Sequence, residues 1–204
     1  RFGRLKLAQR LQIHVCIPRV PRLQSGAMTT NLCRWAILFV PLATISLSAE
    51  NWPEFRGPTG QGHSTERDLP IEWSNTKNVA WKQSVPGQGW SSPVLYDGRI
   101  VLTTAVRTET NAPLFLRTLC LDAADGRILW STEVFASDAD GPIHGKNSHA
   151  SPTPIVEGER IYVHFGHHGT ACLDRKGDIL WRNSQFKYSP VHGNGGSPAL
   201  VDDA

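Results

Sequence analysis

The chain has 204 residues and a formal net charge of +3 at pH 7. Seven of its 21 Lys and Arg residues lie in residues 1–49, so residues 50–204 carry 14 basic and 18 acidic residues and a net charge of −4. This balance indicates that the protein has no nucleic-acid partner.

The first part of the chain has the features of an export signal. Met28 is the only methionine and the expected start, which makes residues 1–27 an untranslated or disordered upstream extension. Residues 28–49 combine a basic residue, an apolar run over 35–47 and small residues up to a cleavage point near Ala49. Because about 18 to 20 apolar residues are needed to span a bilayer, a signal peptide is favoured over a membrane anchor. We expect a periplasmic or secreted protein with no transmembrane segment in its mature part.

A repeat of about fifty residues organises the rest of the chain. "LDAADGRILW" at 121–130 returns as "CLDRKGDILW" at 172–181. The tryptophans Trp81, Trp130 and Trp181 keep the same period, and Ser-Pro pairs begin successive units at residues 92, 151 and 197. A fixed period of this length is typical of a repeat architecture.

Each complete unit predicts four short strands separated by turns. The first has "PVLY", "RIVLTTAV", "LFLRTLCLD" and "RILWSTEV"; the second has "TPIVE", "RIYVHFG", "TACLD" and "DILWRN". No segment keeps a period of 3.6 residues, so helices should be rare. Four antiparallel strands per unit predict an all-β β-propeller, with blades at 91–134 and 150–186 and a third that begins at 196.

The motif that ends each unit resembles the tryptophan-docking motif of the pyrroloquinoline quinone (PQQ)-like propeller repeats. That group includes quinoprotein dehydrogenases and the propeller lipoprotein of outer-membrane assembly. The lead-in segment, residues 50–75 with "NWPEFRGPTGQGHS", is similar to that of secreted bacterial members. The resemblance implies an incomplete PQQ-like propeller over 76–204, the N-terminal part of a longer protein. The residues expected to dock one blade on the next are Asp122, Ala123, Gly126 and Trp130, then Asp174, Gly177 and Trp181, and also Trp81.

Two further expectations concern the strands themselves. In this family an N-terminal strand commonly completes the last blade, and "NVAWKQSV" fits that role; with its partners missing, it should be an unpaired edge. Cys120 and Cys172 occupy equivalent positions in successive units. Such positions are usually too far apart for a disulfide, so both are expected to be buried apolar residues rather than a bridge or a metal pair.

Polar, glycine-rich loops precede the innermost strand of each blade, at the channel rim where propellers commonly bind ligands. They are "PGQGWSSP", "IHGKNSHASP" and "SPVHGNGGSP". Their candidate ligand-binding residues are Trp90, His144, Lys146, Asn147, His149, His192 and Asn194. The same residue types also stabilise turns, an alternative that the sequence leaves open. The histidines, including His164, His167 and His168, complete no zinc spacing, so no metal site is predicted.

Three functions are compatible with these features. The favoured one is a binding module for a protein or a small ligand, with no cofactor and no chemistry of its own. The first alternative is a PQQ-dependent oxidoreductase of alcohols or sugars, which would need PQQ, usually calcium, and a carboxylate base. The disulfide of adjacent cysteines on which such enzymes often stack PQQ is missing, and no catalytic residue is identified. The second alternative is a scaffold in outer-membrane protein assembly.

Overall fold

The computed structural model describes residues 11–15, 49–67, 69–109, 112–138 and 141–201. The predicted signal peptide therefore lies almost wholly outside the described residues. The strands are β1 Leu11–Val15, β2 Trp81–Val85, β3 Val94–Tyr96, β4 Arg99–Val106, β5 Leu114–Asp122, β6 Ile128–Ser137, β7 Ile155–Glu157, β8 Arg160–His164, β9 Thr170–Asp174 and β10 Ile179–Asn183. The helical content of these ranges is one short 3-10 turn, Gly166–His168, and they contain no helix long and apolar enough to cross a membrane.

Two four-stranded antiparallel sheets form the body of the molecule, as predicted. One has the order β3-β4-β5-β6 and the other the order β7-β8-β9-β10, so each sheet is a simple meander of sequential hairpins. The short first strands, β3 and β7, contact each other, which places them on the inner side of the two blades. The all-β fold class, an incomplete β-propeller with four-stranded blades, is confirmed.

The core lies on both faces of the first blade. On one face of β4, Ile100 and Leu102 pack with Val85 of β2. On the other face, Val101 packs in a cluster that includes Val163 and other residues of the second blade. Because both faces are covered, β4 is buried along almost its whole length, and its sequence is a continuous apolar and threonine run instead of an alternating one.

The tryptophans of the repeat hold adjacent units together through their indole nitrogens. Trp81 Nε1 donates to the Ala123 carbonyl at 2.9 Å, and Trp130 Nε1 donates to the Arg175 carbonyl at 3.1 Å. In both cases the acceptor directly follows the motif aspartate of the next blade. Trp181, the third tryptophan of the series, is 44% exposed.

Glycine is needed in each docking turn because the indole lies directly on the backbone. Gly126 has φ +77°, and a Cβ added there would lie 2.3 Å from Trp81 Cε3. Gly177 has φ +91°, and its added Cβ would lie 2.8 Å from Trp130 Cδ2 and 2.9 Å from Thr132 Oγ1. Both the left-handed conformation and the close approach therefore require a residue without a side chain.

The motif aspartates close these turns. Asp122 Oδ1 accepts a hydrogen bond from the Ala124 amide at 2.8 Å. Asp174 Oδ1 accepts from the amides of Lys176 and Asp178, at 2.8 and 2.9 Å. These are the side-chain to backbone bonds by which aspartate stabilises a turn, which explains why each unit carries Asp at this position.

In the second docking turn, Arg175 occupies the position equivalent to the small Ala123 of the first. Its side chain forms a separate link between the blades. Its guanidinium lies 2.8 Å from Asp97 Oδ2, in the β3–β4 turn of the first blade, and 5.1 Å from the centre of the Tyr96 ring. The bond from Arg175 lowers the pKa of the Asp97 carboxyl. Arg99 Nη1 donates to the Arg175 carbonyl at 2.9 Å.

The two cysteines are buried and unbridged, and each lies directly opposite a motif tryptophan. Cys120 is paired with Trp130 across β5 and β6, and Cys172 with Trp181 across β9 and β10. Each sheet has a register shift next to this pair, a bulge of the kind that increases strand twist. Burial raises the pKa of the Cys120 thiol to about 11. The cysteines thus pack as small apolar residues beside the indoles.

The strand at Trp81 is not an unpaired edge. β1 pairs with β2 in antiparallel register from Leu11 opposite Val85 to Val15 opposite Trp81. The expectation was wrong because the partner strand lies upstream, within residues 1–27. That this upstream segment is an untranslated or disordered extension stays a prediction.

Candidate ligand site on the loop face

The three polar loops, residues 86–93, 143–152 and 189–198, meet at one face of the blades, which we call the loop face. The Trp90 and Ser91 amides both donate to the Ala150 carbonyl at 3.1 Å, which joins the first loop to the second. The His144 amide donates to the His192 carbonyl at 3.2 Å, which joins the second loop to the third.

Residues at or next to the Ser-Pro pairs form a hydrogen-bonded series across this face. The Ser92 amide donates to Thr153 Oγ1 at 3.0 Å, and the Thr153 amide donates to Ser197 Oγ at 3.0 Å. Ser92 and Thr153 lie two residues before β3 and β7. The segments that begin successive units are therefore linked by hydrogen bonds.

The lead-in segment runs along the inner side of both blades. Asn51 Oδ1 accepts from the Asp97 amide, Trp52 exchanges two backbone hydrogen bonds with Leu95 of β3, and the Pro53 carbonyl accepts from the amide of Val156 in β7. The backbone of residues 51–53 is thus fixed against both inner strands. The next two residues of the chain are consequently carried to the loop face.

A cavity of about 530 Å³ opens where the lead-in segment meets the loops. Its aromatic residues are Phe55 and Trp90, which are 52% and 59% exposed, and its charged residue is Glu54. The remaining lining residues are small or polar: Ser92, Asn147, Ser151, Thr153, Gly195, Gly196, Ser197, Pro198 and Ala199.

The predicted ligand-binding residues divide into two groups. Trp90 and Asn147 line the cavity. The other five, His144, Lys146, His149, His192 and Asn194, do not line it. Polar or ring contacts within the second and third loops and the 3-10 turn of the second blade involve the side chains of four of them: His144, His149, His192 and Asn194. Whether any of the seven binds a ligand stays a prediction.

The side chain of Asn147 is fully used in holding the loops. Its Nδ2 donates to the His192 carbonyl at 2.9 Å. Its Oδ1 accepts from the Ser148 amide at 2.8 Å and from the Ser151 hydroxyl at 2.6 Å. Asn147 therefore shapes the cavity wall, the role that the turn-forming alternative assigned to such residues.

Asn194 is likewise buried in a polar network. Its Oδ1 accepts from the Tyr188 hydroxyl at 2.7 Å, and its Nδ2 lies 3.1 Å from His167 Nδ1. The side chain lies on Gly166, where an added Cβ would be only 1.7 Å from Asn194 Cγ. Asn194 thus fixes the third loop against the 3-10 turn.

Several histidines are concentrated around this turn. The rings of His144 and His192 lie 5.6 Å apart edge to face, and those of His149 and His168 lie 6.0 Å apart. In the described part of the chain, no group of three or more His, Cys, Asp or Glu side chains is placed to hold a metal ion. His164, on β8, is hydrogen-bonded to Thr170 at 2.8 Å, and burial lowers its pKa.

Sequence reasoning missed several cavity residues. Glu54 and Phe55 belong to the lead-in segment, whose place on the inner side of the blades has no periodic signal. Ser92, Ser151 and Ser197 were recognised as repeat markers but not as a convergent set. Equivalent positions at the start of inner strands face a common channel in a propeller. The repeated Ser-Pro pairs could therefore have predicted that these serines lie close together.

Residues 63–202 match the family described as outer membrane protein assembly factor BamB. The chain belongs to this family. None of the curated proteins matches it. A similar solved structure is BamB from Moraxella catarrhalis, with a TM-score of 0.42 and 12% identity over 61% of this chain and 35% of that one. Another is a europium-containing methanol dehydrogenase, with a TM-score of 0.34 and 14% identity over 52% and 19%. The chain thus spans about a third of the BamB structure.

In this BamB-family chain, the described lining of the cavity lacks the cationic side chains that would balance PQQ, the cofactor of the quinoprotein dehydrogenases that share the repeat. PQQ carries three carboxylates, which bind most strongly to charged donors. The described lining contains the carboxylate of Glu54 and no Lys or Arg. The acceptor oxygen that Asn147 could offer to a calcium ion is already bonded to Ser148 and Ser151.

Proposed function

We propose that this chain is part of an exported BamB-family propeller that binds a protein or a small ligand at its loop face and has no chemistry of its own. The observation that carries the proposal is the cavity of about 530 Å³ with the exposed rings of Phe55 and Trp90. Concave sites with aromatic walls and a few polar groups are the usual form of binding sites.

The predicted residues take different roles in this function. Trp90 contacts the ligand, while Asn147 and Asn194 hold the loops that form the wall. His144, Lys146, His149 and His192 form a polar rim beside the cavity, where a larger partner would reach them. Export follows from the predicted signal peptide at 28–49, which places the binding face in the periplasm or outside the cell.

The oxidoreductase alternative is tested by titrating the full-length protein with PQQ and calcium while absorbance and dye-linked oxidation of alcohols and glucose are followed. The proposal expects neither stoichiometric PQQ binding nor oxidation, because the described cavity lining repels an anionic cofactor. Stoichiometric binding that starts alcohol oxidation would replace the proposal with the enzyme.

The family match favours one second candidate, a scaffold in outer-membrane protein assembly. In that role the partner at the loop face would be another assembly protein. Purification of the full-length protein from gently solubilised membranes tests it: a scaffold elutes with a membrane complex of defined composition. Elution as a free soluble protein under those conditions would count against it.

A further inference from the structure

We infer that the loop-face cavity receives a lysine or arginine side chain presented by an extended segment of a partner protein. This inference deepens the binding function proposed above and rests on it. It concerns the chemical class of the partner, which follows from the charge, the rings and the backbone groups that line the cavity.

The charge of the cavity is set by Glu54. Among the described residues it is the one charged side chain of the lining, and none of them forms an ion pair or a hydrogen bond with its carboxylate. Glu50, four residues earlier, contrasts with it. The Glu50 carboxylate accepts bonds from Ser64 and Thr65, and these bonds lower its pKa. Glu54 is therefore the carboxylate of the lead-in segment that is left to pair with an external cation.

The position of Glu54 is fixed by its neighbours in the chain. Trp52 and Pro53, directly before it, are hydrogen-bonded to the inner strands of both blades. Gly57 lies against the Trp52 ring, since an added Cβ would be 2.6 Å from it. Because the backbone that carries this carboxylate is braced, binding orders only the side chain, which favours a specific ion pair.

The two rings complete a site for a long cationic side chain. Phe55 and Trp90 expose about half of their surfaces beside Glu54. The methylene groups of lysine or arginine pack on such rings, and the charged end is attracted to the ring faces. An aliphatic ligand would use the rings alone, whereas an anionic ligand would be repelled by Glu54.

The third loop offers main-chain groups for an extended peptide. Where the first loop meets the second, the Ala150 carbonyl accepts hydrogen bonds from the amides of Trp90 and Ser91. Gly196 occupies the position in the third loop that Ala150 occupies in the second. It is exposed and lines the cavity, and its carbonyl accepts no hydrogen bond from the described backbone. Neither Gly195 nor Gly196 has another residue near its Cβ position, so a peptide backbone can approach this stretch.

The test uses the full-length protein and a set of pentapeptides, acetyl-Ala-Ala-Xaa-Ala-Ala-amide. Xaa is arginine, lysine, norleucine as an uncharged chain of similar length, or glutamate. Binding is measured by saturation-transfer NMR titration at low and high salt. We expect the arginine and lysine peptides to bind about fivefold more tightly than the norleucine peptide, with the advantage shrinking at high salt.

Three variants assign the binding to the cavity. Glu54→Gln should weaken the arginine and lysine peptides about fivefold and leave the norleucine peptide within about twofold. Glu157→Gln, a control at the exposed glutamate that ends β7, should change neither. Trp90→Ala should weaken all three peptides, because the ring contacts the side chain whatever its charge.

Several results would overturn the inference. Equal binding of the norleucine peptide, or no effect of Glu54→Gln, would show that charge is not recognised. Free arginine amide binding as tightly as the arginine peptide would show a site for small cations instead of a protein segment. Preferential, Trp90-dependent binding of the glutamate or norleucine peptide would refute the inference and leave the binding function intact. If no peptide binds, the inference fails, and the binding function is then judged by cross-linking at position 90.

Discussion

The docking turns predict a specific stability difference between two glycines of the second blade. Gly177 and Gly158 both have positive φ, +91° and +53°. An alanine Cβ at 177 would meet the Trp130 ring at 2.8 Å, whereas at 158 it would meet nothing within 4 Å. Alanine in this conformation costs about 1–2 kcal/mol at either position, and overpacking costs about 1–3 kcal/mol more. We therefore expect Gly177→Ala to destabilise by about 2–5 kcal/mol and Gly158→Ala by about 1–2 kcal/mol.

A double-mutant cycle separates the clash from the backbone strain. In a Trp130→Ala background the contact with the ring is removed, while the contact with Thr132 Oγ1, which donates to the Gly177 carbonyl at 2.7 Å, remains. The additional effect of Gly177→Ala should then fall towards that of Gly158→Ala, with a coupling energy of roughly 1–3 kcal/mol. Urea unfolding of the full-length protein, followed by far-UV circular dichroism, measures each free energy of unfolding. Equal effects of the two glycine substitutions, or no coupling to Trp130, would refute the docking argument.

Three further predictions concern the loops and the titrating groups. Asn147→Ala should destabilise by about 1–3 kcal/mol and increase hydrogen exchange in loop 189–198, whereas Lys146→Ala, exposed on the same loop, should leave both unchanged. Because burial raises the folded-state pKa of the Cys120 thiol to about 11, the wild type should lose stability as the pH rises from about 9 towards 11. The urea midpoint of Cys120→Ala should not show this decrease. Because burial lowers the folded-state pKa of His164, the wild type should lose stability relative to His164→Gln as the pH falls below about 6.5, which urea midpoints at successive pH values would show.

The fold was predictable because local patterns and the repeat agreed. The turns at Asp97-Gly98 and at Gly177 lie where the sequence placed them, and the strands on either side follow the predicted apolar runs. The period and the resemblance to the docking motif indicated Trp130, whose indole nitrogen donates to the Arg175 carbonyl of the next blade. The ion pair of Arg175 with Asp97 was not predictable from the sequence, because it joins residues of different repeats.

The candidate site was predictable only in part, because part of it depends on contacts between segments that are distant in the sequence. Trp90 and Asn147 lie in loops that precede inner strands, so the repeat alone indicated them. Glu54 and Phe55 reach the cavity because the lead-in segment pairs with two inner strands, and no periodicity of its own predicts that path. The pairing of β2 with β1 was missed because it joins segments about seventy residues apart.

The central claim is that ligands bind at the loop face, and site-specific photo-cross-linking tests it most directly. A benzoylphenylalanine is placed at position 90 or, as a control of similar exposure, at position 180 on the outer strand β10 of the full-length protein in the producing cell. We expect discrete adducts, identified by mass spectrometry, from position 90 and none from position 180. Adducts from position 180 alone, or equally from both, would contradict a binding site on the loop face.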